Sequence, residues 1–182
     1  MERVRIGVLG ASGYTGAELL RLLATHPAAE IRWLTADRNA GQPVGALFPH
    51  LAHLDLPTLA RLEQVDMADV DVVFCCLPHG LTQAVVKALP ATVRVVDLSA
   101  DFRLNDLELY AATYGKPHEA PELQAEAVYG LAEHYRAAVE AARLVANPGC
   151  YTTTAELPLI PLLEAGLIEQ RGIIIDAKSG IT

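Results

Sequence analysis

Between residues 10 and 16 the sequence reads Gly10-Ala11-Ser12-Gly13-Tyr14-Thr15-Gly16. The β-rich run Arg3–Leu9 comes before this loop, and Ala17–Ala24 follows it with apolar residues at helical spacing. A strand, a glycine loop and a helix in this order are the setting of a dinucleotide-binding turn, whose bare backbone lets a pyrophosphate approach the helix N-terminus. A tight turn without a ligand is the alternative, but the hydroxyls of Ser12 and Thr15 favour the nucleotide. We therefore expect residues 10 and 12–16 to contact a cofactor.

Strands and helices alternate from residue 3 to residue 98, which predicts an α/β fold with a doubly wound parallel, Rossmann-like sheet. Residues 39–57 are rich in glycine and proline and are interpreted as a loop. We expect Arg143–Ala146 to close the sheet. The other predicted strands are Glu30–Leu34, Asp71–Leu77 and Val93–Leu98, and the other predicted helices are Thr82–Leu89, Asp106–Tyr114 and Glu133–Ala142.

The second predicted strand ends in Thr35-Ala36-Asp37-Arg38, where this type of sheet meets the adenosine ribose of a dinucleotide. An acidic side chain there accepts a hydrogen bond from a ribose 2′-hydroxyl, whereas an arginine pairs with a 2′-phosphate. Both types are present, and a solvated Asp–Arg turn is a third interpretation. Thr35 and Arg38 favour NADP(H), with both residues in its site.

Two further strand ends supply candidates at the same edge of the sheet. Pro78 and His79 follow the third predicted strand, and Ser99 follows the fourth. Doubly wound sheets bind ligands at the carboxyl ends of their strands, so we expect Pro78, His79 and Ser99 near the cofactor. For His79, a turn or helix-capping role is the alternative.

Cys150 is the candidate nucleophile. It follows Asn147-Pro148-Gly149 and precedes Thr152-Thr153-Thr154, at a predicted strand-to-helix turn. Unpaired N–H groups at a helix N-terminus favour negative charge, and a thiolate is the form of cysteine that attacks carbon. A small buried cysteine beside a Pro-Gly turn is the alternative, but the polar residues around the turn favour catalysis. Cys75 and Cys76 lie in an apolar strand and are interpreted as inert core thiols.

Composition excludes several classes of function. The 182 residues carry a net charge of −8, which argues against a nucleic-acid or anionic-membrane surface. No apolar run reaches the roughly 18 residues of a membrane helix, and the start Met1-Glu2-Arg3 shows no signal-peptide pattern. Three cysteines, two of them adjacent, give no disulfide framework, so we expect a cytoplasmic protein. His50 and His53 lie between prolines without a carboxylate cluster, and we predict no metal site.

The length suits one full domain and the start of another. We predict a nucleotide-binding domain over residues 1–146 and the beginning of an incomplete α/β domain over residues 147–182. The second part would contain the helix after Cys150 and a strand over Arg171–Lys178. A strand with nothing after it to pair with is a poor end for a domain, so we expect the chain to be a fragment.

Six motifs stand in chain order: Gly10-Ala-Ser-Gly-Tyr-Thr-Gly16, Leu77-Pro-His-Gly80, Asp97-Leu-Ser-Ala-Asp-Phe-Arg103, Tyr129-Gly-Leu-Ala-Glu133, Asn147-Pro-Gly-Cys150 and Asp176-Ala-Lys-Ser-Gly180. Together they resemble the motifs of N-acetyl-γ-glutamyl-phosphate reductases, enzymes of arginine biosynthesis. The resemblance runs over nearly the whole chain, and the third and fifth motifs are far more specific than the glycine loop. Ala132 departs from the family, which usually carries proline there, and we expect only a local effect.

The resemblance implies NADPH-dependent reductive dephosphorylation of an acyl phosphate through a thioester on Cys150. It also implies a second α/β domain that supplies an acid–base histidine, much of the substrate pocket and the interface of a homo-oligomer; we expect that histidine beyond Thr182. Arg103 and Asn147 are the candidate substrate contacts. An arginine so near Asp97 and Asp101 could instead be their ion-pair partner.

Two other functions remain open. Aspartate-semialdehyde dehydrogenase and the aminoadipyl analogue of lysine synthesis belong to the same superfamily, although Asn147-Pro-Gly-Cys-Tyr151 argues against both. The non-enzyme alternative is a module that only binds NADP(H). We expect the chain as given to bind nucleotide and to turn over poorly or not at all.

Overall fold

Strands and helices alternate around one seven-stranded parallel sheet in the computed structural model, which describes residues 3–180. Residues 1–2 of the predicted nucleotide-binding domain and residues 181–182 of the predicted second domain lie outside the described residues. The strands are β1 Val4–Leu9, β2 Ala29–Thr35, β3 Leu59–Ala60, β4 Val72–Cys75, β5 Arg94–Asp97, β6 Val128–Tyr129 and β7 Leu144–Ala146. The helices are α1 Tyr14–Leu23, α2 Val44–Leu47, α3 Thr82–Ala88, α4 Leu107–Tyr114, α5 Pro121–Glu126, α6 Ala132–Ala141 and α7 Cys150–Glu164.

The strand order is β3-β2-β1-β4-β5-β7-β6, and every neighbouring pair is parallel. The chain winds outward from β1 to β3, then returns to the other side of β1 and winds outward through β4 and β5. The strand β6 then takes the edge, and β7 lies between β5 and β6. The prediction of a doubly wound parallel sheet is confirmed. Because all strands are parallel, their carboxyl ends meet at one edge, and the winding reverses between β1 and β4.

Alternating side chains of the central strands feed two apolar layers, one on each face of the sheet. Ile6 and Val8 pack with Leu20 of α1 in one layer, whereas Leu9 and Trp33 belong to the other. Burial on both faces explains why these strands are apolar runs and not alternating patterns.

The region predicted as a loop over residues 39–57 contains α2 and a 3-10 turn over Pro49–Leu51. Pro43 is the N-cap of α2 and Pro49 begins the 3-10 turn, because the fixed φ of proline suits a first helical turn. The two-residue strand β3 then adds to the edge of the sheet beside β2. The prolines that suggested a loop thus begin two short helical turns.

The expectation that Arg143–Ala146 closes the sheet is wrong, because β6 pairs with the outer edge of β7. Gly130, directly after β6, donates its N–H to the carbonyl of Ala146 at 2.9 Å. A Cβ there would lie 2.9 Å from a methyl carbon of Val145, so only glycine permits this close approach. A two-residue strand is too short to leave a periodic signal in sequence.

The helix predicted after Cys150 forms α7, but the strand predicted over Arg171–Lys178 is wrong, since residues 171–180 have no regular secondary structure. Ile174 is 91% exposed and Ile175 is 60% exposed. A strand requires hydrogen bonds from a neighbouring strand, and no segment in the described part of the chain pairs with this run.

Candidate active site

A cavity of about 820 Å³ opens at the carboxyl edge of the sheet, where the winding reverses between β1 and β4. The β1–α1 turn lines it with four of the predicted cofactor residues, and the ends of β2, β3 and β4 line its other sides. The four turn residues are Gly10, Ser12, Gly13 and Thr15. The sequence therefore placed this turn at the ligand-binding crevice typical of such sheets.

Glycines shape this turn in two ways. Gly10 has a φ of 73°, and a Cβ on it would overlap the carbonyl oxygen of Cys76. A Cβ on Gly16 would lie 2.7 Å from the Cα of Ala11, so Gly16 serves the close packing of α1 on the turn before it and does not line the cavity. Gly13 is the N-cap of α1 and has no side chain to cap it, which leaves N–H groups available to a ligand anion.

Tyr14 lies outside the cavity lining, with 78% of its surface exposed. It is the first residue of α1, and its side chain is exposed to solvent. Its predicted contact with the cofactor thus rests on its position in the turn and not on the cavity.

At the end of β2, Thr35 and Asp37 line the cavity. The buried Thr35 hydroxyl accepts a hydrogen bond from the N–H of Gly10 at 3.3 Å, which ties this strand end to the glycine turn. Arg38 is exposed and does not line the cavity. Arg61, which we did not predict from the sequence, lines the cavity and lies 4.0 Å from Asp37. The available signal was a basic residue directly after an apolar pair, Leu59–Ala60, too short to identify as a strand.

Pro78 lines the cavity, but His79 and Ser99 turn away from it into a network around the buried Asp101. Nδ1 of His79 lies 2.7 Å from Oδ1 of Asp101, and the His79 ring centre lies 4.2 Å from that of Tyr114. This placement matches the turn role that we kept as the alternative for His79.

Asp101 holds the start of α3 in place. Its carboxylate accepts hydrogen bonds from the N–H groups of Gly80, Thr82 and Gln83 at 2.6, 2.9 and 3.3 Å. A carboxylate at a helix N-terminus satisfies otherwise unpaired donors and complements the helix dipole. His79 and Asp101 together fix the path of the chain from β4 into α3.

Ser99 links the carboxylate of Asp97 to the backbone of Asp101 just after β5. Its hydroxyl donates to Oδ2 of Asp97 at 2.8 Å and accepts from the N–H of Asp101 at 3.1 Å. Burial raises the pKa of Asp97 to about 6, although hydrogen bonds from Ser99 oppose this shift. Asp97 was noted in a motif, but nothing in the sequence indicated that it would be fully buried and titrate abnormally.

Cys150 is the first residue of α7, with Gly149 as N-cap, and it is exposed. The hydroxyl of Thr152 donates to the carbonyl of Gly149, and that of Thr154 to the carbonyl of Cys150, both at 2.8 Å. These hydroxyls therefore leave the N–H groups of the first turn free for an anion. The alternative of a buried cysteine at this turn is wrong.

Burial holds the other two cysteines in their thiol form. It raises the pKa of Cys75 well above its ordinary value and that of Cys76 to about 12, with the charge of Asp97 adding to both shifts. Thiolates carry out nucleophilic attack, so both cysteines are poor nucleophiles. Cys75 fits the predicted core role, whereas Cys76 is only partly buried and lines the cavity.

Arg103 joins the end of β5 to the loop that carries Cys150. Its Nε donates to the carbonyl of Asn147 at 2.8 Å and its Nη2 to the carbonyl of Leu98 at 3.0 Å. The alternative of an ion pair with the neighbouring aspartates is wrong. Within the described residues, the guanidinium of Arg103 donates its hydrogen bonds to these two carbonyls. A Cβ on Gly149 would lie 3.1 Å from Nη1 of Arg103, so the guanidinium lies directly against the residue before Cys150.

Two further contacts fix the Cys150 loop. The backbone N–H of Asn147 donates to the carbonyl of Asp97 at 2.8 Å, and its side-chain amide donates to the carbonyl of Pro148 at 3.0 Å. Tyr129, on β6, donates its hydroxyl to the carboxylate of Glu156 on α7 at 3.0 Å. Burial raises the pKa of Tyr129. Tyr129 belongs to a motif, but no local pattern indicated its partner on α7.

Cys150 and the cavity share one edge of the sheet but not one enclosed space, since Cys150 is not among the lining residues. Three strand spacings separate β1 from β7, which is roughly 14 Å. A dinucleotide bound at the glycine turn would have to extend along this edge to reach the thiol.

Comparison with known proteins gives the family. A family model described as "Semialdehyde dehydrogenase, NAD binding domain" matches residues 5–142. The chain belongs to the semialdehyde dehydrogenase family. A second model, "Semialdehyde dehydrogenase, dimerisation domain", matches residues 150–182, so the segment that begins at Cys150 also has its counterpart in this family.

Within the semialdehyde dehydrogenase family, the chain is 60% identical over 181 residues to a probable N-acetyl-γ-glutamyl-phosphate reductase, chloroplastic, from Oryza sativa subsp. japonica. It is 59% identical over 184 residues to the N-acetyl-γ-glutamyl-phosphate reductase of Rhodospirillum rubrum. These matches cover 100% and 98% of the chain but 44% and 52% of the relatives, so the chain spans about half their length. The resemblance inferred from the six motifs is confirmed.

A solved structure of aspartate semialdehyde dehydrogenase with NADP from Candida albicans has the same fold, with a TM-score of 0.63 at 20% identity. The likeness covers 90% of this chain and 48% of that one. Within residues 3–180 of the chain studied, no helix has both the length and the apolar character needed to cross a membrane. The same residues contain no group of three or more histidine, cysteine or acidic side chains suited to a metal ion.

Proposed function

We propose that this chain supplies the cofactor site and the nucleophile of an NADP-dependent N-acetyl-γ-glutamyl-phosphate reductase. The observation that carries the proposal is the exposed Cys150 at the start of α7, on the same sheet edge as the cavity at the glycine turn. The names of the curated relatives point to the same activity.

The residues at the glycine turn fit a dinucleotide. Gly10 exposes bare backbone, the first turn of α1 offers N–H groups, and the hydroxyls of Ser12 and Thr15 face the cavity. These groups would hold the pyrophosphate, with Thr35 and Pro78 on either side. When bound, NADPH supplies the hydride that reduces the substrate carbonyl. Tyr14, Gly16, His79 and Ser99 remain proposed cofactor residues, although none of them lines the cavity, whereas Arg38 is exposed outside it.

Cys150 would attack the acyl phosphate as its thiolate. A bond forms between sulfur and the carbonyl carbon, the bond from that carbon to the phosphate oxygen breaks, and inorganic phosphate leaves. Hydride addition to the resulting thioester then gives N-acetylglutamate semialdehyde and returns the thiolate. N–H groups of the first turn of α7 would stabilise the negative oxygen of the intermediate, an effect worth about 3 kcal/mol per donor.

Arg103 and Asn147 are the proposed substrate contacts. Arg103 uses Nε and Nη2 on backbone carbonyls, which leaves Nη1 beside Gly149 to face a phosphate or carboxylate. We also propose that the acid–base histidine and the oligomer interface come from a second domain, since the family match from residue 150 is to a dimerisation domain. The partner would be a small acyl phosphate and not a nucleic acid or membrane, and the proposed compartment is the cytoplasm.

A phosphate-dependent assay tests the reaction. NADP⁺ reduction is followed with N-acetylglutamate semialdehyde in the protein extended to the length of its relatives, with Cys150→Ser as the variant and Cys75→Ser, outside the cavity lining, as the matched control. We expect Cys150→Ser to abolish the reaction and Cys75→Ser to retain it. Activity that survives Cys150→Ser contradicts the assignment of Cys150 as the nucleophile. Turnover of aspartate semialdehyde that is faster than turnover of N-acetylglutamate semialdehyde contradicts the proposed substrate.

Nucleotide binding without turnover is the second candidate for these 182 residues. It is supported by the chain spanning about half the length of its relatives. Robust reduction of NADP⁺ by the chain alone would exclude it.

A further inference from the structure

Three charged residues line the cavity at the end where β2 and β3 stop: Asp37, Arg61 and Glu63. Arg61 is the only basic residue in the cavity lining within residues 3–180. An anionic group bound at this end therefore has one positive side chain to pair with and two carboxylates to avoid.

Pairing between β2 and β3 brings Arg61 to this position. Thr35 lies opposite Ala60 in the parallel register, and the N–H of Ala36 donates to the carbonyl of Ala60 at 2.9 Å. Arg61 directly follows Ala60, and Asp37 comes two residues after Thr35, so both leave the sheet at the same edge and their side chains approach to 4.0 Å.

Arg38 follows a different path. The carbonyl of Asp37 accepts a hydrogen bond from the N–H of Ala40 at 3.3 Å, which closes a turn and leaves Arg38 exposed beside the cavity lining. A guanidinium contacts a bound phosphate only if it faces the same space, so Arg61 and not Arg38 has the required position.

We propose that Arg61 binds the 2′-phosphate of NADP(H) and that Asp37 opposes it, so that this pair sets the preference between NADP(H) and NAD(H). The proposal rests on the cofactor site of the proposed function. The Arg61 and Asp37 side chains are 62% and 91% exposed, so their ion pair is solvated and weak. A phosphate offers the guanidinium two parallel charge-assisted hydrogen bonds and displaces the carboxylate.

Asp37 has the opposite preference. Its carboxylate accepts a hydrogen bond from a ribose 2′-hydroxyl but repels a 2′-phosphate. Glu63 adds to this repulsion at the same end of the cavity. Removing Arg61 therefore weakens binding of the phosphorylated ribose specifically, and removing the charge of Asp37 strengthens it.

Calorimetric titration with two small probes separates the 2′-phosphate from the rest of the cofactor. The probes are adenosine 2′,5′-bisphosphate and adenosine 5′-monophosphate, added to the 182-residue chain. For Arg61→Ala we expect about a tenfold loss of affinity for the bisphosphate and an unchanged affinity for the monophosphate. Arg38→Ala is the matched control, because it removes the same charge outside the cavity and is expected to change neither affinity.

Two further variants sharpen the test. Asp37→Asn keeps a hydrogen-bond acceptor but loses the charge, so we expect tighter binding of the bisphosphate alone. Arg61→Lys keeps the charge without the planar fork and is expected to restore part of the lost affinity. Circular dichroism of each variant confirms that it is folded.

A loss in Arg38→Ala without a loss in Arg61→Ala overturns the proposal, and so do equal losses in both, which indicate only a diffuse charge effect. If the folded wild-type chain binds neither probe, the cofactor site of the proposed function fails as well. Wild-type binding of both probes with no change in Arg61→Ala overturns the assignment of Arg61 alone.

Discussion

At the residue scale, the three cysteines differ in burial: Cys75 is buried, Cys76 is partly buried and Cys150 is exposed. Burial raises the pKa of Cys75 and Cys76, so both are thiols at neutral pH. Cys150 lies at a helix N-terminus, where negative charge is favoured.

We therefore expect iodoacetamide to alkylate Cys150 well before the other two cysteines in the native chain. Mass spectrometry of peptides after timed quenching measures this order. Cys150→Ser should leave only slow labelling, and labelling in denaturant should make all three positions equivalent. Rapid native alkylation of Cys76 would contradict the assignment.

Asp97 gives a prediction about pH. Because burial raises its pKa from 3.8 to about 6, the folded chain binds more protons than the unfolded chain between these values. This group therefore makes the free energy of unfolding fall as pH rises through that window. In Asp97→Asn the fall is absent, so the variant gains up to about 3 kcal/mol relative to wild type across the window.

Urea unfolding at several pH values measures this relative gain. Asp71→Asn is the control, because a hydrogen bond and the charge of Arg5 lower the pKa of Asp71 and move its window to more acidic pH. A difference between Asp97→Asn and wild type that stays constant with pH would contradict the raised pKa.

At the scale of elements, the contact between β1 and β2 depends on the absence of a side chain at Gly7. A Cβ there would overlap the indole ring of Trp33, whose Nε1 donates to the carbonyl of Asp66 at 3.1 Å. The indole thus lies across β1 and is held in place from the other side.

Gly7→Ala is expected to lower the free energy of unfolding by about 3 kcal/mol, because the ring or the strand must move to admit a methyl group. Chemical denaturation of the double-mutant cycle with Trp33→Leu provides the check. The cost of Gly7→Ala should shrink in the Trp33→Leu background, and equal costs in both backgrounds would exclude this contact as the cause.

The strand ends also show why particular residues are brought together. Arg103 links the ends of β5 and β7 through the carbonyls of Leu98 and Asn147, which directly follow these strands, and Tyr129 links β6 to α7. These links hold the Cys150 loop from the sheet side, while α7 leaves large apolar side chains such as Leu157 and Leu162 exposed.

At the scale of the whole molecule, the cavity and the nucleophile depend on one sheet edge, so nucleotide binding should stabilise the entire fold. A ligand at about 100 times its dissociation constant adds about 2.7 kcal/mol to the free energy of unfolding. We expect NADPH to raise the melting temperature of the wild-type chain and to have no such effect on Gly10→Ala.

Gly115→Ala is the matched control for this melting experiment. Gly10 and Gly115 have φ values of 73° and 72°, so alanine strains the backbone equally at both. A Cβ on Gly115 meets no atom within 4 Å, whereas one on Gly10 would overlap the carbonyl of Cys76 at the cavity. If NADPH still raises the melting temperature of Gly10→Ala, the proposed cofactor site at the glycine turn is contradicted.

The sequence by itself determined the parts of this protein that depend on local backbone chemistry. The order of strand, glycine turn and helix specified the β1–α1 crevice, and Gly149 before Cys150 specified a helix that begins at the nucleophile. Apolar runs specified the central parallel strands. Each of these patterns is contained within a short segment, so periodicity and the properties of glycine suffice to predict it.

Tertiary structure alone decided which distant side chains meet. Arg61 reaches Asp37 only because the two-residue strand β3 pairs with β2, and His79 turns to Asp101 and not to the cavity. Arg103 donates a hydrogen bond to the carbonyl of Asn147, 44 residues away, and not to the neighbouring aspartates. The strand predicted over Arg171–Lys178 is wrong for a related reason, because no strand in the described part of the chain pairs with it. Hydrogen-bond partners far apart in sequence leave no local pattern, so the pairing of strands and the burial of charges determine them.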